Sequence, residues 1–278
     1  MHHVPVLPYD DIFRTRGIPG LLSSSAYQMA WVQYQTTLVD KLNELTSGTE
    51  FYDAQPKTLA LRFARDPLSA SIFNHASMAY NNHQFFSGLS SAPKKLETQA
   101  GLQASLINTF GTIDTLRTTF VDTAAGMFGP GFVWLVWARD LNAISRPGGS
   151  ASRGGWRILT TYNAGTPFPE AGYRQQGVDM NTQNAGSADA YYNSHPVNTV
   201  GTFGSFSQAG RAQAKLPPGG TSVLPLLCVN TWQHVWLRDY GVPGKRSFLA
   251  DWWEAIDWYH VHVNAPPEAK SGVSFSRA

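Results

Sequence analysis

Midway along the chain the hydrophobic period changes, and that change limits the folds open to it. Residues 131–140 read GFVWLVWARD, where Phe132, Val133, Trp134, Leu135, Val136 and Trp137 form a nearly continuous apolar run. Such a run of β-branched and aromatic residues reads as a buried strand. Upstream the period is helical. From Tyr27 to about Leu45, Trp31, Tyr34, Leu38, Leu42 and Leu45 recur at spacings of three and four, one stripe along a helix. Ser23–Ser25 offer its N-cap. A second helix is expected from Pro67 through Phe86, with Leu68, Ile72, Met78 and His83 on its inward side. Leu102–Phe120 reads as two helical pieces broken near Gly111, with Asp114 capping the second. WRILTTYNAG (156–165) and SVLPLLCVN (222–230) are further strand candidates. Helix returns at Phe248–Trp258, with Phe248, Trp252, Ala255 and Ile256 on its apolar face. Helices first and three strands later make the chain α+β.

The remaining stretches mark its boundaries. Residues 1–22 read as an extended, turn-rich arm, because Pro5, Pro8 and Pro19 exclude helix interiors around them. A helical hairpin over 23–92 is followed by a polar link, SSAPKKLETQ, and by an α/β part over 93–265. Within that part, residues 165–220 are rich in Gly, Asn, Gln, Ser and Pro and read as an inserted loop. Residues 266–278 read as a flexible tail. At 42% hydrophobic with nine Trp, the 278 residues suffice for a sizeable core. A net charge of +2 excludes a strongly basic nucleic-acid binder on bulk charge. The single cysteine, Cys228, lies in an apolar run and reads as a small buried hydrophobe that makes no internal disulfide. No apolar run is long enough to span a membrane, and MHHVPVLPYD lacks a signal-peptide core.

Chemistry is concentrated in VNTWQH (229–234), where Asn230 and His234 flank a Trp at metal-ligand spacing. An amide stands where a carboxylate is expected. The segments LPYDD, QYQTTLVDKLNEL, YNNHQFF, NTFGTIDTLRTTFVDTAAGMFGPGFVWL, LPLLCVNTWQHVWLRDYG and FLADWWEAIDWYHV lie in that order along the chain. Together they resemble the iron/manganese superoxide dismutase family, over nearly the whole chain except 165–220 and the tail. FGTIDTLRTTF and LLCVNTWQHVWLRDY are the most specific pieces. The resemblance implies an N-terminal helical hairpin followed by a mixed domain with a three-stranded antiparallel sheet flanked by helices. It also implies a metal site of three His and one Asp, of which two positions are kept, at His83 and His234. The first His falls on Ala30 and the Asp on Asn230. The gateway Tyr falls on Leu38 and its nearby His on Tyr34. The Gln that bonds the metal's solvent falls on Ala79 or Phe128. The Glu that links two subunits falls on Gln233, with its companion Tyr on Leu237. Two neutral imidazoles leave a hard redox ion without anionic oxygen, and the partners that tune the ligands are gone. The resemblance therefore implies no bound metal, no cofactor and no catalytic residues, with His83 and His234 as core histidines holding a backbone or water partner. The competing reading is an active dismutase with a rearranged ligand set.

The opening HHVPVLPYD…GIPGLLS and the LPLLCVNTWQHVWLRDYG segment are similar to dismutase-like small-subunit proteins of fungal mitochondrial ribosomes. That similarity implies a structural role in the mitochondrial matrix and pairing with a related dismutase-like subunit. Residues 145–220 hold six basic side chains against three acidic ones. Arg146, Arg153, Arg157, Arg174, Arg211 and Lys215 are thus candidate rRNA or partner contacts. His2 and His3 are expected on the surface of the arm. His260 and His262 in YHVHV would stand on one strand face as a weak chelate.

Overall fold

The computed structural model describes residues 1–140, 154–171 and 221–270. After helix α1 (Asp10–Arg16), α2 (Ser24–Tyr27) runs through a π-turn (Gln28–Gln33) into α3 (Tyr34–Thr46). The Ser23 side chain caps α2 by accepting from the Ala26 N–H. The predicted stripe faces inward, with Trp31 and Leu42 at 1% and 0% exposure. Helix α4 (Pro56–Phe63) packs against α5 (Ala70–Ser87). Pro56 starts α4 where its missing N–H costs nothing. Next come α6 (Ala100–Phe110) and α7 (Ile113–Gly126), broken at Gly111, whose φ of 84° a side chain would resist. The cap of α7 is Thr112, which accepts from the Thr115 N–H. Asp114, expected in that role, lies within the first turn instead.

Three strands follow: β1 (Gly131–Asp140), β2 (Gly155–Tyr162) and β3 (Thr221–Asn230), ordered β2–β1–β3 with both pairings antiparallel. The apolar run is the central strand, and Phe132 through Val136 are fully buried. Pro225 is tolerated because β3 is an edge strand with a register shift beside Leu135 and Val136. Strands β2 and β3 both oppose β1, so they run parallel to each other and no hairpin can join them. Tyr162 pairs with Gly131 and Thr221 with Asp140, at opposite ends of the sheet. Among the described residues four helices follow: α8 (Gln233–Tyr240), α9 (Lys245–Ala255), α10 (Trp258–Asn264) and α11 (Pro267–Lys270).

One continuous buried cluster ties the halves together. Along it, ring centroids step from Phe13 to Tyr27 (5.4 Å), Tyr27 to Phe86 (5.6 Å) and Phe86 to Trp31 (5.3 Å). Aromatic pairs at such spacing add stability beyond the area they bury. The Asp257 N–H donates to the Gly88 carbonyl and the Trp258 N–H to that of Lys94, pinning the start of α10 to the link.

Several expectations are corrected. The arm 1–22 is not extended throughout. The proline-free stretch after Pro8 forms α1, whose first turn holds Asp10 and Asp11 and whose last turn holds Arg14 and Arg16, matching the helix dipole. Leu7, Phe13, Ile18, Leu21 and Leu22 of the arm are buried, and so is His2. His2 hydrogen-bonds Thr46 through its ring, while the Asn43 side chain accepts from its N–H and donates to its carbonyl. Leu68 points outward at 98% exposure, because Pro67–Ser69 is a separate 3₁₀ turn before α5 begins. Helices α4 and α8 are additional to the sequence reading. His260 and His262 sit on helix α10, where a two-residue spacing separates them around the axis. They do not form the strand-face pair. The reading of 165–220 as loose does not hold at its start. Phe168 is buried, with its ring 5.4 Å from Tyr80 and the Lys57 ammonium 4.3 Å above it. Asn81 also donates to the Gly165 carbonyl at 2.8 Å. Residues 172–220 lie outside the described residues. The tail begins with α11, whose Ala269 is buried, and residues 271–278 lie outside the described residues.

Candidate functional site

Helix α5, the π-turn before α3, the end of β3 and the first turn of α8 bring Ala30, His83, Asn230 and His234 to the seam between the helices and the sheet. Ala30 and Asn230 are fully buried. The two imidazoles pack against aromatic rings. His83 lies 6.0 Å from Trp31, centroid to centroid. His234 packs against Tyr34, centroids 4.1 Å apart and rings tilted by 36°, and lies 5.7 Å from Trp232. Burial holds His83 below its ordinary pKa, with His260 adding a like charge. Burial alone lowers His234 to about 4. Its Nε2 has no hydrogen-bond partner among the described residues.

Three amides occupy the rest of this region. The Asn230 Oδ1 accepts from the Trp232 N–H at 2.9 Å, an Asx turn that starts α8. Its Nδ2 donates to Asn82 Oδ1 at 3.2 Å. Asn82 Nδ2 donates to the Ala30 carbonyl at 3.2 Å and to Gln35 Oε1 at 3.0 Å. Gln35 Nε2 donates to the Ala79 carbonyl at 3.0 Å. Asn82 and Asn230 are at 0% exposure and Gln35 at 1%, so these bonds have no competition from water. Sequence reasoning missed Gln35 and Asn82. The available signal was polar amides on faces expected to be buried: Gln35 follows the stripe residue Tyr34, and Asn82 doubles the Asn in YNNHQFF.

These residues do not fit a redox metal. Ala30 has no donor, and both polar atoms of Asn230 already have partners. A hard cation needs anionic oxygen, and among the described residues no group of three or more His, Cys, Asp or Glu side chains is placed to hold an ion. Leu38 is a buried apolar group at 5% exposure and carries no proton. Ala79 is buried and Phe128 is 98% exposed, so neither position supplies an amide to the pocket. Gln233 faces solvent and Leu237 is 38% exposed. Of the candidate RNA-contact residues, Arg157 is exposed on edge strand β2. Arg146, Arg153, Arg174, Arg211 and Lys215 lie outside the described residues.

Residues 98–167 and 197–264 match the family described as "Iron/manganese superoxide dismutases, C-terminal domain". The iron superoxide dismutase of Bordetella pertussis is 30% identical over 172 residues, covering 61% of this chain and 77% of that protein. The chain belongs to the iron/manganese superoxide dismutase family. Two further relatives are from Schizosaccharomyces pombe. Small ribosomal subunit protein mS42 is 28% identical over 212 residues, covering 74% of this chain and 72% of that protein. Small ribosomal subunit protein mS43 is 26% identical over 250 residues, covering 87% and 78%. The dismutase fold is thus present, with Ala30, Asn230 and two histidines packed against aromatic rings at the seam.

Proposed function

We propose that this chain is a structural protein of the mitochondrial small ribosomal subunit, built on a dismutase scaffold and located in the matrix. It does not work as a dismutase. The observation that carries this reading is the seam itself, where Asn230 stands at the position of the charged ligand, its amide bonded to Asn82 and to the Trp232 N–H, and Ala30 offers no donor. A scaffold kept without its ligand set serves through its surface. Similarity to two small-subunit proteins of Schizosaccharomyces pombe, across most of this chain, points the same way.

The finer assignments are part of the proposal. The partner is a related dismutase-like subunit, forming a heterodimer. Exposed Gln233 replaces the glutamate of the family's symmetric pairing, and Leu237, Val242 and Phe128 are exposed apolar side chains. Lys245 donates to the Met127 carbonyl at 2.8 Å and holds the Phe128 turn beside α9. The rRNA contacts fall to Arg157 and to the basic residues of 145–220. In the division proposed, 23–92 is the hairpin and 93–265 the mixed domain, with α1 and α11 packed onto them.

Sedimentation of tagged protein from a mitochondrial lysate tests the assignment. Co-migration with small subunits, lost when the subunits are dissociated, is expected. Free protein at the top of the gradient would overturn the ribosomal role. Stoichiometric iron or manganese with superoxide-dependent turnover would restore the enzyme.

A further inference from the structure

We infer that the amide chain Asn230–Asn82–Gln35 has taken over the cross-linking task of the family's metal, and that it works only because every member is a neutral amide with a fixed donor-to-acceptor sense. The backbone sets that sense at both ends. At the β3 end the fixed group is a donor, the Trp232 N–H, which must meet the Asn230 oxygen. At the helical end the fixed groups are acceptors, the Ala30 and Ala79 carbonyls, which must meet the Asn82 and Gln35 nitrogens. Reversing any one amide would set oxygen against oxygen or nitrogen against nitrogen. Each of the six side-chain polar atoms has a partner, and the links join β3 to α5, α5 to the π-turn, and α3 back to α5. A metal at the four ligand positions would join β3, α5 and the π-turn by charge, with α8 in place of α3. The amides do so without any charge to desolvate.

A carboxylate breaks this chain wherever it is placed, because it accepts and does not donate. Asn230→Asp returns the family's ligand type, yet it leaves Asn82 Oδ1 facing an anion in a dry seam. Protonating that Asp restores an O–H donor and repairs the link. The deficit of Asn230→Asp therefore depends on pH, while the link itself is read from Asn82→Leu and Gln35→Met. The link does not depend on where the protein resides, so loss of ribosome association and loss of this cross-link can be told apart.

The test uses the full chain. Melting temperatures are measured with EDTA and with manganese chloride, for the unsubstituted protein, Asn230→Asp and Asn82→Leu, with metal content read by mass spectrometry. The unsubstituted protein is expected to melt within about 1 °C under both additions, and Asn82→Leu to melt lower by about 4 °C or more, as buried partners left unpaired require. Asn230→Asp is expected to show a deficit at pH 7 that shrinks as pH falls through the range of a buried carboxyl. If Asn82→Leu yields no folded protein, Gln35→Met removes one end of the chain and must still lower the melt. Stabilisation of the unsubstituted protein by manganese, an Asn230→Asp variant as stable at pH 7 as its parent, or one equivalent of metal held by that variant would each overturn the inference.

Discussion

His234 makes stability depend on pH in a calculable way. Its ring packs against Tyr34 in the seam, and burial lowers its pKa from 6.5 to about 4. At pH 7 the ring is neutral in the folded and the unfolded chain, so its contribution is fully present. As pH falls below 6.5 the unfolded chain takes up a proton that the folded chain refuses until about pH 4. Stability therefore falls across that window. Between pH 7 and pH 5 the loss from this one ring is about 2 kcal/mol, because a pKa lowered by roughly 2.5 is worth about 1.36 kcal/mol per pH unit and is only partly realised at pH 5. His2, His83 and His260 are lowered by burial too, so the whole protein loses more. The His234 share is isolated by His234→Phe, which keeps a flat ring over Tyr34 and has no proton to bind. Urea unfolding at pH 7, 6 and 5 gives the difference between the two proteins. The substituted protein is expected to lose about 2 kcal/mol less on going from pH 7 to pH 5, a midpoint difference of roughly 0.7 M for a slope near 3 kcal/mol/M. A difference under about 0.5 kcal/mol, a quarter of the linkage value, would refute a neutral, desolvated ring.

Two further substitutions probe the fold. Phe168→Ala removes a buried ring from between Tyr80 and Lys57 and should cost about 3–5 kcal/mol in chemical denaturation, with the start of the crossover released from α5. Leu68→Ser, at 98% exposure, should change stability by less than about 0.5 kcal/mol, whereas an inward Leu68 would cost several times that. Deleting 172–220 should weaken incorporation into small subunits in a gradient assay, and normal incorporation would remove the insertion from the binding role.

The residue pattern alone determined the elements whose periodicity is local. The α3 stripe, the break at Gly111 and the three strands follow from spacings of three and four, from a positive-φ glycine and from one apolar run. The resemblance, not the residue pattern alone, implied that Ala30 and Asn230 stand at ligand positions, and neither side chain is a His or an Asp. Short elements escaped it. Helices α1, α4 and α8 are of seven or eight residues, where intrinsic propensity is marginal and packing decides. His260 and His262 alternate like a strand, yet they form α10 because Asp257 caps its start and its backbone is pinned to Gly88. How the buried amides of the seam are linked was decided only in three dimensions. Gln35, Asn82 and Asn230 are separated by 47 and 148 positions, and a hydrogen bond between amides that far apart leaves no trace in local sequence. The direction of those bonds comes from two carbonyls and one N–H that the folded backbone alone brings into reach.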